Sequence, residues 1–321
     1  MMSVLRSLGA ACMLLCACAF AADDTEVARL AGEAARGSEP ARAALERLAG
    51  EGVTAAEHAL GVMHVTGRGA RQDEMQAAHW FLRAARKGHV ESAHNLAVIY
   101  QRSRGALKNP SEARAWFRFA AERGFARSQA NLGHLLLHGI GGEADADEAR
   151  GWIEKAAAQN EPHGVYLLGM MSLEKDPNEA ARLIRRAAEA NDREAQYRLA
   201  LMHGTGAGVE KSDEAALDWL RRAAEQRLPE AEYLLGTMYA TGRQGLKRDD
   251  KAAAALLRRA ARQGHLDAQL SLGLALAEGR GVGEDAAEAY GWMLEAARRG
   301  HPVAIKLVDT IRARLPKPPA D

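Results

Sequence analysis

The chain has 321 residues, 47% of them hydrophobic and only 5% aromatic, which is long for one globular core. Its 43 basic and 42 acidic residues leave a net charge of +1. No strong basic field is present to hold nucleic acid or an anionic membrane, and the small-residue, aromatic-poor composition suits close-packed helices and argues against a β-sandwich.

The first residues read as an export signal. Arg6 gives a positive start, and the apolar run that ends at Phe20 is shorter than the ~20 residues a bilayer span needs. Ala19, Phe20 and Ala21 form an A-x-A cleavage site. Residues 1–21 are expected to be removed, leaving a periplasmic chain that begins at Ala22. Leu15 to Cys18 also resembles a lipobox, so the alternative is a lipoprotein anchored through Cys18. A membrane contact is expected only in that case. All three cysteines, Cys12, Cys16 and Cys18, lie in the leader, so the mature chain is expected to have no disulfide and no thiolate chemistry.

Residues 22–55 read as capping helices, over 26–36 and 41–52. Residues 56–303 then repeat seven times. Trp80, Trp116, Trp152, Leu183, Trp219, Leu256 and Trp292 share one repeat position at spacings of 36, 36, 31, 36, 37 and 36, the signature of a solenoid. An alanine pair follows each anchor by four residues, from Ala84 and Ala85 to Ala296 and Ala297, and lets a neighbouring helix approach. Eight residues after each anchor stands a helix stop: Gly88, Gly124, Asn160, Asn191, Arg227, Gly264 or Gly300. Glycine and asparagine accept the left-handed conformation that ends helices. Arg227 departs from that rule, and Pro229 is expected to supply the stop there. Seven residues before each anchor stands an N-cap: Asp73, Asn109, Asp145, Asp176, Ser212, Asp249 or Asp285. Gln76, Glu112, Glu148, Glu179 and Glu288 follow three residues later and are expected to complete capping boxes.

The other helix of each unit carries a Leu-Gly or Leu-Ala pair, as at Leu60 and Gly61 or Leu96 and Ala97. A Gly-rich turn such as Gly279, Arg280 and Gly281 joins the two helices. The fourth unit lacks it, which accounts for the spacing of 31. Residues 304–321 read as a final amphipathic capping helix and a Pro-rich tail, since solenoids must cover their last apolar face.

The pattern A…LG..Y..G.GV..D…A..W…AA..G resembles the Sel1-like repeat of the tetratricopeptide superfamily over roughly residues 56–303. The resemblance implies an all-α, right-handed α-solenoid of seven antiparallel helix pairs. It also implies an interaction or adaptor role, often in bacterial envelope, secretion or signalling assemblies. Some exported relatives are cysteine-rich, and β-lactam binding or hydrolysis is attributed to a few. A mature chain without cysteine departs from that branch.

Nothing in the sequence supplies catalytic machinery. There is no G-x-S-x-G, no phosphate-binding loop and no H-E-x-x-H. His134 and His138 share a helical face as a metal pair would, but no third ligand stands beside them at ligand spacing, so neither a metal nor another cofactor is expected. His89, His265 and His301 follow helix-ending glycines and are expected to meet the negative end of a helix dipole. Paired arginines at 185–186, 221–222, 258–259 and 298–299 read as a solvated outer face with ion pairs along the helix.

One column remains as a candidate binding surface. Three residues before the Gly or Ala of each first helix stand His58, His94, Ala130, Tyr166, Tyr197, Tyr233 and Leu270. The matching tetratricopeptide position faces the concave groove. His58, His94 and the three tyrosines are therefore candidate contacts for a partner protein or peptide, although tyrosine there can also serve packing between units. The expected function is a non-catalytic scaffold of the cell envelope. The alternative is an envelope protein that binds or hydrolyses a cell-wall or β-lactam-type ligand.

Overall fold

The computed structural model describes residues 24–103, 105–313 and 315, and among these no strand occurs. The expected signal cleavage, the Cys18 lipid anchor and the Pro-rich tail beyond residue 315 lie outside the described residues. Two N-terminal helices, α1 (residues 24–35) and α2 (Glu39–Gly50), precede the repeats. The first helices of the seven pairs are α3 (Thr54–Thr66), α5 (Val90–Arg102), α7 (Ala126–Leu137), α9 (Pro162–Ser172), α11 (Arg193–Thr205), α13 (Pro229–Thr241) and α15 (Leu266–Ala277). The second helices are α4 (Glu74–Arg86), α6 (Pro110–Glu122), α8 (Ala146–Ala158), α10 (Pro177–Glu189), α12 (Asp213–Glu225), α14 (Asp250–Arg262) and α16 (Ala286–Arg298), and α17 (Pro302–Arg312) closes the array. The chain is thus an all-α solenoid of helix pairs. It divides into two compact units after Gly164. No helix among the described residues is long and apolar enough to cross a membrane.

The second helices are fixed at both ends by local chemistry. All seven expected N-caps accept a hydrogen bond from the first turn, as when Asp145 takes the Glu148 N–H at 2.9 Å. The reciprocal half of the capping box is not the role these structures give the glutamates. The N-cap N–H already donates to the preceding first helix, Asp145 to Leu136 O and Asp285 to Leu276 O, both at 3.0 Å. Glu148 and Glu288 instead accept from Trp152 and Trp292 Nε1, at 3.0 and 3.1 Å, and from Arg118 and Arg258 of the preceding repeat. At the other end every stop residue has a positive φ, including Asn160, Asn191 and Arg227 at +63°. Arg227 therefore ends α12 itself, and Pro229 opens α13.

Alanines and glycines set the packing distance. The alanine pairs Ala84 and Ala85, Ala120 and Ala121, and Ala260 and Ala261 are essentially inaccessible. The glycine of the Leu-Gly pair lies on the residue after the anchor. A Cβ on Gly133 would come within 2.5 Å of Ile153, and one on Gly61 within 2.5 Å of Phe81. The second glycine of the turn presses on the preceding repeat. The Cβ position of Gly141 is 2.2 Å from Pro110 O and that of Gly281 is 1.9 Å from Asp250 O. These turns are therefore docking points between repeats as well as changes of direction.

A buried polar column binds five of the seven first helices to the second helix before them. Gln129, Gln196 and Gln269 donate to Ala121, Ala188 and Ala261 O at 3.1–3.2 Å. At the same register Glu57 and Glu232 are fully buried carboxylates. Arg259 and Arg227 meet Glu232 at 2.5 and 3.3 Å, and Arg83 and Lys87 meet Glu57 at 2.9 Å. Arg258 and Arg259 thus point between repeats, not onto a solvated face, whereas Arg185, Arg186, Arg221, Arg222 and Arg298 are exposed.

Candidate binding surface

Part of the candidate column fills the step between consecutive first helices. Three of its members, His58, His94 and Tyr233, meet the residue that caps the next first helix. The rings of His58 and His89 are 4.6 Å apart, those of His94 and Phe125 5.0 Å, and Tyr233 stacks on His265 at 4.6 Å. Tyr197 packs in one cluster with Leu228. Burial, followed by the charge of Asp192, pushes the Tyr166 hydroxyl up to about 12, and burial raises Tyr197 and Tyr233 as well. The three tyrosines are half-buried, and Tyr197 and Tyr233 take part in packing between first helices.

His94 leaves the list of groove residues altogether. It is 8% exposed, packed against Phe117 and Phe125, with Nδ1 2.9 Å from Ser128 Oγ. Burial, then Arg127 and Arg102, lowers it from the ordinary 6.5 to about 4. Its folded value is depressed, so its contribution is complete above pH 6.5 and is lost as pH falls toward 4. We expect the wild-type chain to lose about 2 kcal/mol more than a His94→Gln variant between pH 7 and 4.5. Urea denaturation at both pH values checks this, and parallel losses in the two proteins would remove His94 as the cause.

His89, His265 and His301 sit at the opposite dipole end from the one expected. Each is the N-cap of the next helix, its Nδ1 accepting from Ser92, Ala268 or Ala304 N at 3.1–3.3 Å. A helix-ending glycine is followed at once by a new helix, so the residue after it belongs to the start of that helix.

His58 faces a large opening. A cleft of about 1150 Å³ runs between α1 and α3, and both His58 and His89 line it. Its walls are small or apolar side chains: Ala28, Ala31 and Ala35 on one helix, Ala55, Ala59 and Val62 on the other. Val62 remains 38% exposed. The Ser92 hydroxyl stands 2.8 Å from His58 Nδ1 and 2.9 Å from His89 Nδ1. Burial lowers both histidines, and His89 lowers His58 further, so this polar strip is neutral at pH 7. Asp24, Arg36, Glu51 and Arg68 also line the opening. The spacing of 28, 31 and 35, and of 55, 59 and 62, is a helical stripe of small residues that the sequence displays openly. It reads as ordinary core, but among the described residues no helix covers it.

Comparison with known proteins gives the same architecture. The Sel1 repeat profile matches residues 54–89, 90–125, 126–161, 164–192, 193–228, 229–265 and 266–301. A search of curated proteins finds no match. Among solved structures, a Sel1 repeat protein from Oxalobacter formigenes is 28% identical with a TM-score of 0.57, covering 90% of this chain and 86% of its own. The protein c5321, a protective antigen present in uropathogenic Escherichia coli strains, is 29% identical with a TM-score of 0.51, covering 90% of this chain and 64% of its own. With seven matched repeats over most of its length, the chain belongs to the Sel1 repeat family.

Proposed function

We propose that this protein is a non-catalytic scaffold of the bacterial cell envelope that holds an apolar or amphipathic segment of a partner protein between α1 and α3. The α1–α3 cleft is the observation that carries the reading. Its volume suits a few anchoring side chains, its walls are small enough to let a helix or extended strand lie close, and Asp24, Arg36, Glu51 and Arg68 add charges of both signs for the polar side of an amphipathic segment. Sel1 repeat proteins generally act in protein interaction, and the apolar leader that ends at an A-x-A site supports export.

The test is capture of envelope proteins by the chain from Ala22 onward and by a Val62→Glu variant. Val62 is exposed, so the charge alters the cleft and spares the core. We expect a protein captured by the wild type to fall at least tenfold with the variant while far-UV circular dichroism is unchanged. Equal capture by both proteins would move the binding surface away from this cleft. Substituting Tyr166, Tyr197 and Tyr233 is a poorer probe, because those side chains pack repeats together.

A further inference from the structure

One column of the repeat breaks in the last unit. Two residues after the Gly or Ala of each first helix stand Met63, Ile99, Leu135, Met171, Met202, Met238 and Ala275. All but Ala275 are large and apolar. The fifth repeat shows what the large side chain does. The Cβ position of Gly208, in the turn after α11, lies 3.2 Å from Pro177 O and 3.4 Å from both Ala181 Cβ and Met202 Cε. The methionine therefore packs beneath the turn where the turn docks on α10. In the seventh repeat the corresponding positions are Gly281, Asp250, Ala254 and Ala275, and the side chain that fills this place in the fifth repeat stops at Cβ.

A cavity of about 170 Å³ lies at that place, between α13, α14 and α15. Its apolar walls are Ala240, Ala253, Ala254, Leu257, Leu274 and Ala275. Its origin is that of a large-to-small core substitution, which leaves a space the surroundings fill only in part. We propose that this cavity is a binding site for a compact, neutral, apolar molecule the size of a benzene ring.

Volume and polarity both select that class. An apolar cavity of about 150 Å³ accepts benzene. The polar side chains at the edge already have partners. Thr237 Oγ1 donates to Leu234 O at 2.7 Å, and Thr241 Oγ1 donates to Thr237 O at 2.8 Å. Asp250 accepts from Arg248 at 2.8 and 2.9 Å, Arg280 pairs with Glu278 at 2.6 Å, and Ser271 shares a hydrogen bond with Tyr233. A well-held water needs two to four polar partners, so water here is weakly held and an apolar ligand displaces it at a gain. Thr241 and Arg280 are exposed and mark the side open to solvent. The proposal does not rest on what the α1–α3 cleft binds.

The test is calorimetric titration of the purified chain with benzene and with phenol, beside an Ala275→Met variant. We expect one benzene per chain with a dissociation constant of about 1 mM or tighter. Phenol should bind at least tenfold more weakly, because its hydroxyl loses water and finds no released partner. Ala275→Met, which restores the side chain of Met202 and Met238, should abolish benzene binding and raise the ligand-free melting temperature by about 2 °C. Where methionine overpacks the site, Ala275→Val reads the same loss with less added volume. No saturable benzene binding below about 10 mM, phenol bound as tightly as benzene, or benzene binding undiminished in both variants would overturn the proposal.

Discussion

Gly281→Ala is expected to destabilise the C-terminal unit by about 3 kcal/mol or more, whereas Gly279→Ala, two residues earlier in the same turn, costs about 1 kcal/mol. Both glycines are left-handed, with φ of +71° and +66°, so both alanines meet the same backbone penalty. The difference is the neighbour. A Cβ at position 281 falls 1.9 Å from Asp250 O and 2.2 Å from the carbonyl carbon, whereas the nearest atom at position 279 is a Glu284 side-chain carbon at 3.6 Å. Asp250 is the first residue of α14 and its carbonyl is held in the helix. No side chain can rotate away, so the turn and the preceding repeat must separate. Urea denaturation of the two variants beside wild type measures the difference. Costs equal within 0.5 kcal/mol would mean that the turn docks less tightly than the structure shows.

That contrast also marks what a single sequence can convey. Helix ends are legible because their partners are three or four residues away. Asp73 to Asp285 cap where the spacing puts them, and the stop residues take a positive φ. The contact of Gly281 with Asp250 spans 31 positions, and nothing in the Gly-Arg-Gly triplet distinguishes a turn that only reverses the chain from one that also docks. Glu148 makes the same point. Its spacing from Asp145 suggests a local bond, but the N–H it would have taken is engaged by Leu136 O, and its carboxylate turns to Arg118, thirty residues back.

The candidate surface was harder to read for a related reason. The His and Tyr column was visible as a column, yet facing a groove and filling the step between two first helices give the same periodicity. The ring contacts of His94 with Phe125 and of Tyr233 with His265 show the second role at those two positions. The α1–α3 stripe consists of alanines and a valine, the residues least able to announce exposure.

Arg259→Leu is expected to cost about 3 kcal/mol in the wild-type chain and less than about 1 kcal/mol in a Glu232→Gln background. The repeats themselves explain why. Where the buried residue is glutamine, its amide donates to the carbonyl of the preceding second helix, as Gln196 does to Ala188 O at 3.2 Å. A carboxylate cannot donate. At Glu232 the corresponding carbonyl, Ala224 O, takes its hydrogen bond from Arg259 Nη2 at 2.9 Å, and the same guanidinium pairs with Glu232. Glu57 repeats the arrangement with Arg83, which donates to Ala49 O at 2.9 Å. In two of the three glutamine repeats the equivalent side chain is released: Arg222 lies over Trp219 and pairs with Asp218, and Lys155 lies over Trp152. Removing Arg259 alone strips a fully buried carboxylate of its nearest cation and leaves Ala224 O without its donor. With Glu232→Gln the amide supplies that hydrogen bond and no charge remains to be balanced. A double-mutant cycle by urea denaturation reads the coupling directly. A coupling below 0.5 kcal/mol would mean that Arg227 and Gln263, at 3.3 and 2.8 Å from Glu232, balance the buried charge without Arg259.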